Sequence, residues 1–296
     1  MRDFPVPKEV YQVATFYNQA ILSYNNSVTN SNIVTGELLE VLTAAKTAVQ
    51  GSYRVGDDVT YVISIVNSGA IAYTGLTVTD NLGTNAFGER NVTPLTYSDG
   101  SVKYYVNGVL QAAPTVTAGP PLVFTGINVP ANGSTLIVYT ARVNEYAPLA
   151  TGGTVTNTAT VNGGGLSAAV TATATLPVET APQLTVTKSV NPTSVVENGE
   201  LTYTFVIQNL GNTEAGAGDN AVLTDKFDPV LNITSVTYNG TAWTSPTQYT
   251  YDASTGAFAT VAGAITVPAA TYTQNPDTGA YSVTPGTGTL TVTGTV

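Results

Sequence analysis

The chain has 296 residues, long enough for about two domains, and its net charge of -10 disfavours nucleic acid and anionic membranes as partners. It has no cysteine and no histidine, which excludes disulfides, thiolate metal sites and the commonest general base. Only 9% of its residues are charged, and no apolar run approaches the ~18 residues that a membrane span requires. We therefore expect a protein that is not an enzyme, with no cofactor, no bound metal and no membrane insertion.

The first predicted element, residues 1–17, is an extension with two prolines and several aromatic residues. It contains no hydrophobic core of a secretory signal. We expect that the chain is processed or that it leaves the cell by an unusual route. The extension itself is interpreted as an arm, or as a strap laid on a neighbouring molecule.

Residues 18–37 are predicted to be a donor-strand segment, that is, strands without a domain of their own. The stretch begins Asn18-Gln19-Ala20-Ile21-Leu22 and is similar to Asn157-Thr158-Ala159-Thr160-Val161 at the end of the domain that follows. Because side chains alternate along a strand, one face of the donor is expected to carry every second residue. These residues are Asn18, Ala20, Leu22 and Tyr24.

Residues 38–178 and 182–296 are two copies of one domain, joined by the linker Thr180-Ala181-Pro182. In both copies a lysine is followed at equal spacing by a tyrosine and then by an Asn-x-Gly turn. Short alternating segments separated by turn signals predict an antiparallel, immunoglobulin-like β-sandwich for each copy. The matching residues are Lys46, Tyr61 and Asn67 in the first copy and Lys188, Tyr203 and Asn209 in the second.

The second copy is predicted to be incomplete. Its last shared strand, residues 289–296, matches residues 136–143 of the first copy, and no closing stretch follows. We predict that residues 18–37 of another molecule supply the missing strands. Joining copies head to tail in this way gives an open filament rather than a ring.

The repeat also carries a family resemblance. The pattern Lys…Gly-Asp-Asp-Val-Thr-Tyr…Asn-Ser-Gly…Val-Thr-Asp, closing on Asn-Thr-Ala-Thr-Val, resembles the bacterial surface repeats known as domain of unknown function eleven. The resemblance covers both copies and implies immunoglobulin-like stalk modules on a bacterial surface, with no activity assigned. The chain departs from a plain tandem array because its strands are permuted across the two ends, and it lacks a wall-sorting tail.

Strand alternation places a lysine, an aspartate and an asparagine in line with apolar residues. Such a trio in an apolar core has the ingredients of a spontaneous isopeptide bond, because burial favours a neutral amine and a neutral carboxylic acid. The amine attacks the asparagine amide, the acid transfers protons, and ammonia leaves. The predicted intramolecular trio is Lys46, Asp80 and Asn157.

The second copy keeps Lys188 and Asp225 but has no asparagine after them. The matching residue is Asn18 at the start of another molecule, so Lys188, Asp225 and Asn18 form a predicted trio between subunits. Alternatively, both lysines extend outward at strand ends and form ordinary ion pairs, while the asparagines hydrogen-bond turns.

The sequence thus predicts a structural subunit of an extracellular bacterial fibre on a cell or spore surface, with other copies of itself as partners. The main alternative is a monomeric adhesin or stalk that binds glycan or host protein through aromatic patches. A second alternative is truncation, with residues 18–35 left over from a preceding repeat or folded back onto the first domain. In the adhesin alternative, the aromatic patches would be formed by Trp243, Tyr97, Tyr104, Tyr105 and Tyr249.

Overall fold

The structure, a computed structural model, describes residues 13–296. Residues 1–12, which belong to the predicted extension, lie outside the described residues. The described chain consists of antiparallel β-sheets and one single turn of 3-10 helix, which confirms the all-β prediction. No helix among residues 13–296 is long and apolar enough to cross a membrane.

Four strands at the N-terminus form one long hairpin, which we call the N-terminal hairpin. They are β1 (Val13–Asn18), β2 (Ile21–Tyr24), β3 (Ser27–Asn30) and β4 (Val34–Leu39). β1 pairs with β4 and β2 pairs with β3, and the described strands show no pairing between this hairpin and the following domain. The hairpin begins at Val13, before the predicted start of the donor segment at residue 18.

The next strands form the first sandwich. The strands are β5 (Leu42–Ala48), β6 (Asp58–Asn67), β7 (Tyr73–Asp80), β8 (Asn85–Phe87), β9 (Arg90–Val92), β10 (Leu95–Tyr97), β11 (Lys103–Val106), β12 (Val109–Gln111), β13 (Thr115–Thr117), β14 (Leu122–Val129), β15 (Gly133–Val143), β16 (Thr154–Gly163) and β17 (Val170–Pro177). One sheet has the order β12-β11-β15-β6-β5, with β10 beside β15. The facing sheet has the order β13-β14-β7-β16-β17, and β8 and β9 form a small hairpin.

The core of this sandwich follows from the alternation of its strands. Every second residue is buried along β6 from Val59 to Asn67, and the same holds along β15 from Thr135 to Val143. Tyr61 and Tyr139 lie on these inward faces with their rings stacked 5.5 Å apart. Two large aromatic side chains therefore occupy the centre of the sandwich, next to the strands that carry the predicted trio.

The last strands form the second sandwich, which has a separate apolar core. The elements are β18 (Leu184–Asn191), β19 (Glu200–Asn209), η1 (Ala217–Asp219), β20 (Thr224–Lys226), β21 (Asn232–Tyr238), β22 (Thr241–Ala242), β23 (Tyr249–Asp252), β24 (Ala257–Thr260), β25 (Thr271–Gln274), β26 (Tyr281–Thr284) and β27 (Gly286–Thr295). One sheet has the order β18-β19-β27-β21-β22. The facing sheet has the order β20-β24-β23, and β25 and β26 form a hairpin.

The strand that carries Asp225 is shorter than the strand that carries Asp80 in the first sandwich. β20 covers only Thr224–Lys226, whereas its counterpart β7 covers Tyr73–Asp80. β7 is held on both sides, by β14 and by β16, but β20 pairs only with β24 among the described strands. Fewer ladder hydrogen bonds hold residues 221–223, which explains the shorter strand.

The hairpin of β25 and β26 has no counterpart in the first sandwich, and we call it the strap. It occupies residues 269–285, where the first sandwich has only Ala131 and Asn132. Tyr272 and Tyr281 of the strap pack against the core of the first sandwich. The backbone N–H of Tyr281 donates to the carbonyl of Glu145 at 2.7 Å. The strap therefore ties the second sandwich to the first.

Candidate functional site

The predicted intramolecular trio meets in the core of the first sandwich. Lys46 lies on β5 in one sheet, whereas Asp80 ends β7 and Asn157 lies on β16 in the facing sheet. The lysine Nζ is 2.6 Å from Asp80 Oδ2, and both side chains are 0% exposed. Asn157 is also fully buried. The alternative in which Lys46 extends outward into solvent is therefore wrong, although the ion pair with Asp80 that it included is present.

A tyrosine completes the contact between the acid and the amide. The Tyr139 hydroxyl donates to Asp80 Oδ2 at 2.6 Å, and Asn157 Nδ2 donates to the Tyr139 hydroxyl at 3.0 Å. Asn157 Oδ1 and the Tyr61 hydroxyl are buried without a hydrogen-bond partner among the described residues. Buried polar atoms are rarely left unpaired, so these two mark a site under constraint.

Burial sets the electrostatics of this cluster. It lowers the pKa of Lys46 from 10.5 to about 8, although the neighbouring Asp80 carboxyl partly opposes the change. It also raises the pKa of Tyr139 well above its usual value, with Asp80 adding to the effect. The lysine Nζ lies 4.9 Å from the centre of the Tyr61 ring. At pH 7 about a tenth of Lys46 is then a neutral amine, far more than for a lysine with its usual pKa of 10.5.

The arrangement suits attack of an amine on an amide. The nucleophile Lys46 and the acid Asp80 are in direct contact, and one hydroxyl links the acid to the Asn157 amide. A buried carboxyl group in that position can take the proton of the attacking amine and deliver one to the departing ammonia. No oxidant, metal or cofactor enters this chemistry.

The second sandwich contains half of such a site. Lys188 Nζ lies 2.5 Å from Asp225 Oδ2, but here the lysine side chain is 40% exposed and the aspartate 18%. The Nζ is 4.5 Å from the centre of the Tyr203 ring and 5.5 Å from that of Phe227. Within residues 13–296 the second sandwich has no counterpart of β16, the strand that carries the asparagine in the first.

An apolar groove lies beside this pair, with a volume of about 330 Å³. In the first sandwich the corresponding edge of β7 pairs with β16, so that Asp80 lies opposite Ala159 and Val78 lies opposite Val161. Leu184 corresponds to Leu42, yet it is 38% exposed where Leu42 is 4% exposed. The groove is lined by Leu184, Thr185, Val186, Ile207, Ala221, Val222, Leu223, Thr224 and Ile265.

The predicted donor residues lie on the N-terminal hairpin. Asn18 ends β1, Ala20 falls in the short break before β2, and Leu22 and Tyr24 lie on β2. All four are exposed. In the single chain the hairpin pairs only with itself among the described strands, so Asn18 is not brought to Lys188. Large apolar side chains exposed on this hairpin also include Phe16, Tyr17, Ile21, Val28, Ile33 and Val34.

The aromatic residues considered for ligand binding are used mostly in packing. Trp243 stacks on Tyr238 with ring centres 5.0 Å apart, and Tyr249 stacks on Phe258 at 5.3 Å. Tyr104 is buried, and Tyr97 packs against Tyr139 with ring centres 6.3 Å apart. Tyr105 is half-buried on β11. These side chains form no common aromatic surface.

Sequence reasoning missed two residues of the site, Tyr139 and Tyr61. Both lie on inward faces of long alternating strands, so parity along 58–67 and 133–143 would have placed them in the core. The sequence gives no direct signal that the Tyr139 hydroxyl bridges Asp80 and Asn157. As for metals, no group of three His, Cys, Asp or Glu residues with metal-site geometry occurs within the described chain.

No protein-family profile matches the chain, and no curated protein sequence matches it. Among solved structures it is similar to the pilus backbone RrgB of Streptococcus pneumoniae, with 18% identity over 41% of this chain and 52% of that chain, and a TM-score of 0.33. It is also similar to the major pilin BcpA of Bacillus cereus, with 11% identity over 92% of this chain and 73% of that chain, at 0.33.

A third similar structure is the collagen-binding domain of a Staphylococcus aureus adhesin, with 11% identity over 46% of this chain and 97% of that chain, and a TM-score of 0.29. The chain spans about half the length of RrgB. Several of the similar structures are thus backbone pilins, but all these likenesses are weak. The functional proposal therefore rests on the geometry of this chain.

Proposed function

We propose that the protein is a structural subunit of an extracellular bacterial fibre, in which the N-terminal hairpin of one molecule completes the second sandwich of the next. One observation carries the proposal. Within residues 13–296, the second sandwich has an apolar groove and an unpaired edge of β20 where the first sandwich holds β16 and β17, and the same residues include an exposed hairpin of matching pattern.

The hairpin matches β16 and β17 residue by residue near the asparagine. Asn18 pairs with Val34 in the hairpin, as Asn157 pairs with Ala174 in the first sandwich. Phe16 then takes the place of the buried Val155, and Ala20 takes the place of the buried Ala159. The face that would enter the groove is therefore apolar apart from the asparagine, as in β16.

Strand donation is energetically reasonable at this edge. It adds backbone hydrogen bonds along β20 and buries large apolar side chains, each worth about 1.5–3 kcal/mol. Phe16, Leu22, Tyr24 and Val34 on one face of the hairpin, together with Leu184 and Val186 beside the groove, are exposed in the single chain. Their burial offsets the ~4–15 kcal/mol entropic cost of association.

The trio Lys46, Asp80 and Asn157 is proposed to form an isopeptide bond inside the first sandwich. The contact between Lys46 and Asp80, the Tyr139 hydroxyl that links Asp80 to Asn157, and the burial of all three side chains support this. Such a bond joins β5 to β16, one strand from each sheet, and holds the two sheets together in a chain without cysteine. A fibre under tension would then transmit force through covalent bonds in this domain.

Deletion of residues 1–35 tests the fibre proposal. The shortened chain keeps the groove but lacks the donor strands, so we expect it to remain monomeric in electron microscopy and light scattering. Added in increasing amounts to the full chain, it should bind fibre ends and shorten the fibres. Fibres formed by the deletion variant alone would exclude strand donation. A full chain that remains monomeric would favour the alternative of a monomeric stalk.

A further inference from the structure

The two lysine–aspartate pairs differ in how far they are exposed to solvent. In the first sandwich β16 covers the pair and supplies Asn157, and Lys46 and Asp80 are wholly buried. In the second sandwich the pair has nearly the same separation, 2.5 Å against 2.6 Å, but remains partly open to solvent. The groove lies directly beside this open pair, since Thr224 lines it and is the neighbour of Asp225.

We propose that docking of the N-terminal hairpin is followed by an isopeptide bond between Lys188 Nζ and the side-chain carbonyl carbon of Asn18 from the docked molecule. This inference rests on the proposed function, because it requires the hairpin in the groove. It adds a specific modification site to that function. Each joint of the fibre becomes covalent.

The register supports this pairing of residues. In the first sandwich Ala159 lies opposite Asp80, and Asn157 comes two residues earlier on the same face. A hairpin docked in the same register places Ala20 opposite Asp225. Asn18, two residues before Ala20, then occupies the inward-facing position that Asn157 occupies in the first sandwich, with the lysine on the facing sheet.

The reaction balances without any further reactant. The neutral amine of Lys188 attacks the Asn18 amide carbon, and the Asp225 carboxyl group takes the proton that the attacking nitrogen loses. Asp225 then delivers this proton to the amide nitrogen, which leaves as ammonia while the oxyanion collapses to the carbonyl group of the new bond. One carbon–nitrogen bond forms and one breaks, and neither residue changes its oxidation state.

The exposure of the open pair sets the order of events. Water solvates Lys188 in the free subunit, whereas the docked hairpin would cover it as β16 covers Lys46. Loss of solvent favours the neutral amine, which is the nucleophile. Docking therefore comes first and covalent joining second, so a subunit in the wrong register is free to dissociate.

The proposed bonding site between subunits differs from the site in the first sandwich in one respect. Val292 takes the place of Tyr139, since these residues pair with the equivalent tyrosines Tyr203 and Tyr61. No hydroxyl from that strand bridges Asp225 to the docked amide. We therefore expect the bond between subunits to form more slowly than the bond between Lys46 and Asn157.

The test compares the full chain with Asn18→Ala and Lys188→Ala. Matched controls are Asn32→Ala, an exposed asparagine of the same hairpin, and Lys226→Ala, an exposed lysine on β20. Electron microscopy reports assembly, and electrophoresis after boiling in detergent reports covalent joining. Peptide mass spectrometry of the boiled material identifies the linked residues.

We expect fibres from all five chains. The full chain and both controls should give a ladder of multimers after boiling, with a peptide linked through Lys188 and Asn18 and lighter by one ammonia. The two site variants should give monomers only. Fibres of the full chain that boil to monomers would overturn the covalent joint and leave strand donation standing.

A ladder that persists in Asn18→Ala would also overturn the assignment, because the joining residue would lie elsewhere. Absence of fibres from every chain would reject the proposed function and, with it, this inference. Asn18 is exposed in the single chain, so its replacement is not expected to disturb folding of either sandwich.

Discussion

Lys46 and Asp80 lie 2.6 Å apart with neither side chain exposed to solvent. A buried ion pair is a weak source of stability, because removing both charges from water costs about as much as their attraction returns. The pair is accompanied by Asn157, whose carbonyl oxygen is left unpaired among the described residues. Reaction explains this combination better than stability does, and the predictions below test it.

Asn157→Ala should prevent the bond inside the first sandwich. In an Asn18→Ala background, where every chain is released as a monomer, the parent should be lighter by one ammonia and the variant should have the unmodified mass. A link that closes a loop of ~100 residues stabilises by up to about 5 kcal/mol, so the variant should unfold at lower temperature. Asn162→Ala, exposed on the same strand, is the control and should keep the mass loss.

Tyr139→Phe should slow the same reaction without abolishing it. The hydroxyl holds the Asn157 amide beside Asp80, but the amine and the acid still touch without it. Intact mass followed over time after refolding should show slower loss of ammonia that eventually reaches completion. Asp80→Asn should show no loss at any time, because no acid remains. If Tyr139→Phe were as inert as Asp80→Asn, the hydroxyl would have to take part in proton transfer.

The unlinked Asn157→Ala variant should gain stability between about pH 8 and pH 10. Burial lowers the pKa of Lys46 from 10.5 to about 8, so the unfolded chain binds more protons than the folded chain across this window. Stability then rises with pH, by up to about 3 kcal/mol. Above pH 10 the buried Tyr139, whose pKa is raised, opposes the gain because it ionises first in the unfolded chain.

Thermal unfolding across this range measures the effect. The parent chain, in which the proposed bond converts Lys46 to an amide, is the control and should lack the rise. A variant whose unfolding temperature stays constant or falls from pH 8 to pH 10 would contradict the buried-amine assignment.

Phe16→Asp should block fibre formation, and Thr15→Asp should not. Phe16 corresponds to the buried Val155 on β16, whereas Thr15 corresponds to the exposed Thr154. A charge on the inward face must be buried in the groove, which costs several kcal/mol, while a charge on the outward face remains in water. Light scattering of the two variants at equal concentration gives the comparison. Equal inhibition by both would mean that the hairpin does not dock by this face.

Tyr281→Ala should weaken the contact between the two sandwiches of one chain. This side chain of the strap packs against the core of the first sandwich, and its loss removes roughly 2 kcal/mol of apolar burial. In the Phe16→Asp background, small-angle scattering should show a broader distribution of distances within the monomer. Ser282→Ala, exposed on the same hairpin, should leave the distribution unchanged. An unchanged distribution of distances for Tyr281→Ala would show that other contacts hold the two sandwiches together.

The local sequence pattern was sufficient to predict the strands in much of the molecule. Short alternating segments between turn signals identified strands, because a half-buried strand has a period of two residues. The same rule placed Lys46, Asp80 and Asn157 on inward faces, and the structure brings them together. The strap was not predicted, although Asn275-Pro276-Asp277-Thr278-Gly279 carries a strong turn signal.

The sequence by itself determined the all-β class, the repeat and the residue types that face inward, since these depend on neighbours within a strand. Only the tertiary structure decided that Tyr139 bridges acid and amide, that β20 is short and that the strap reaches the first sandwich. These depend on contacts between residues far apart in the chain. Two lysines at matching positions of the repeat illustrate the difference. Lys46 is buried, in the sandwich that contains β16, whereas Lys188 is 40% exposed in the sandwich that has no counterpart of β16 within residues 13–296.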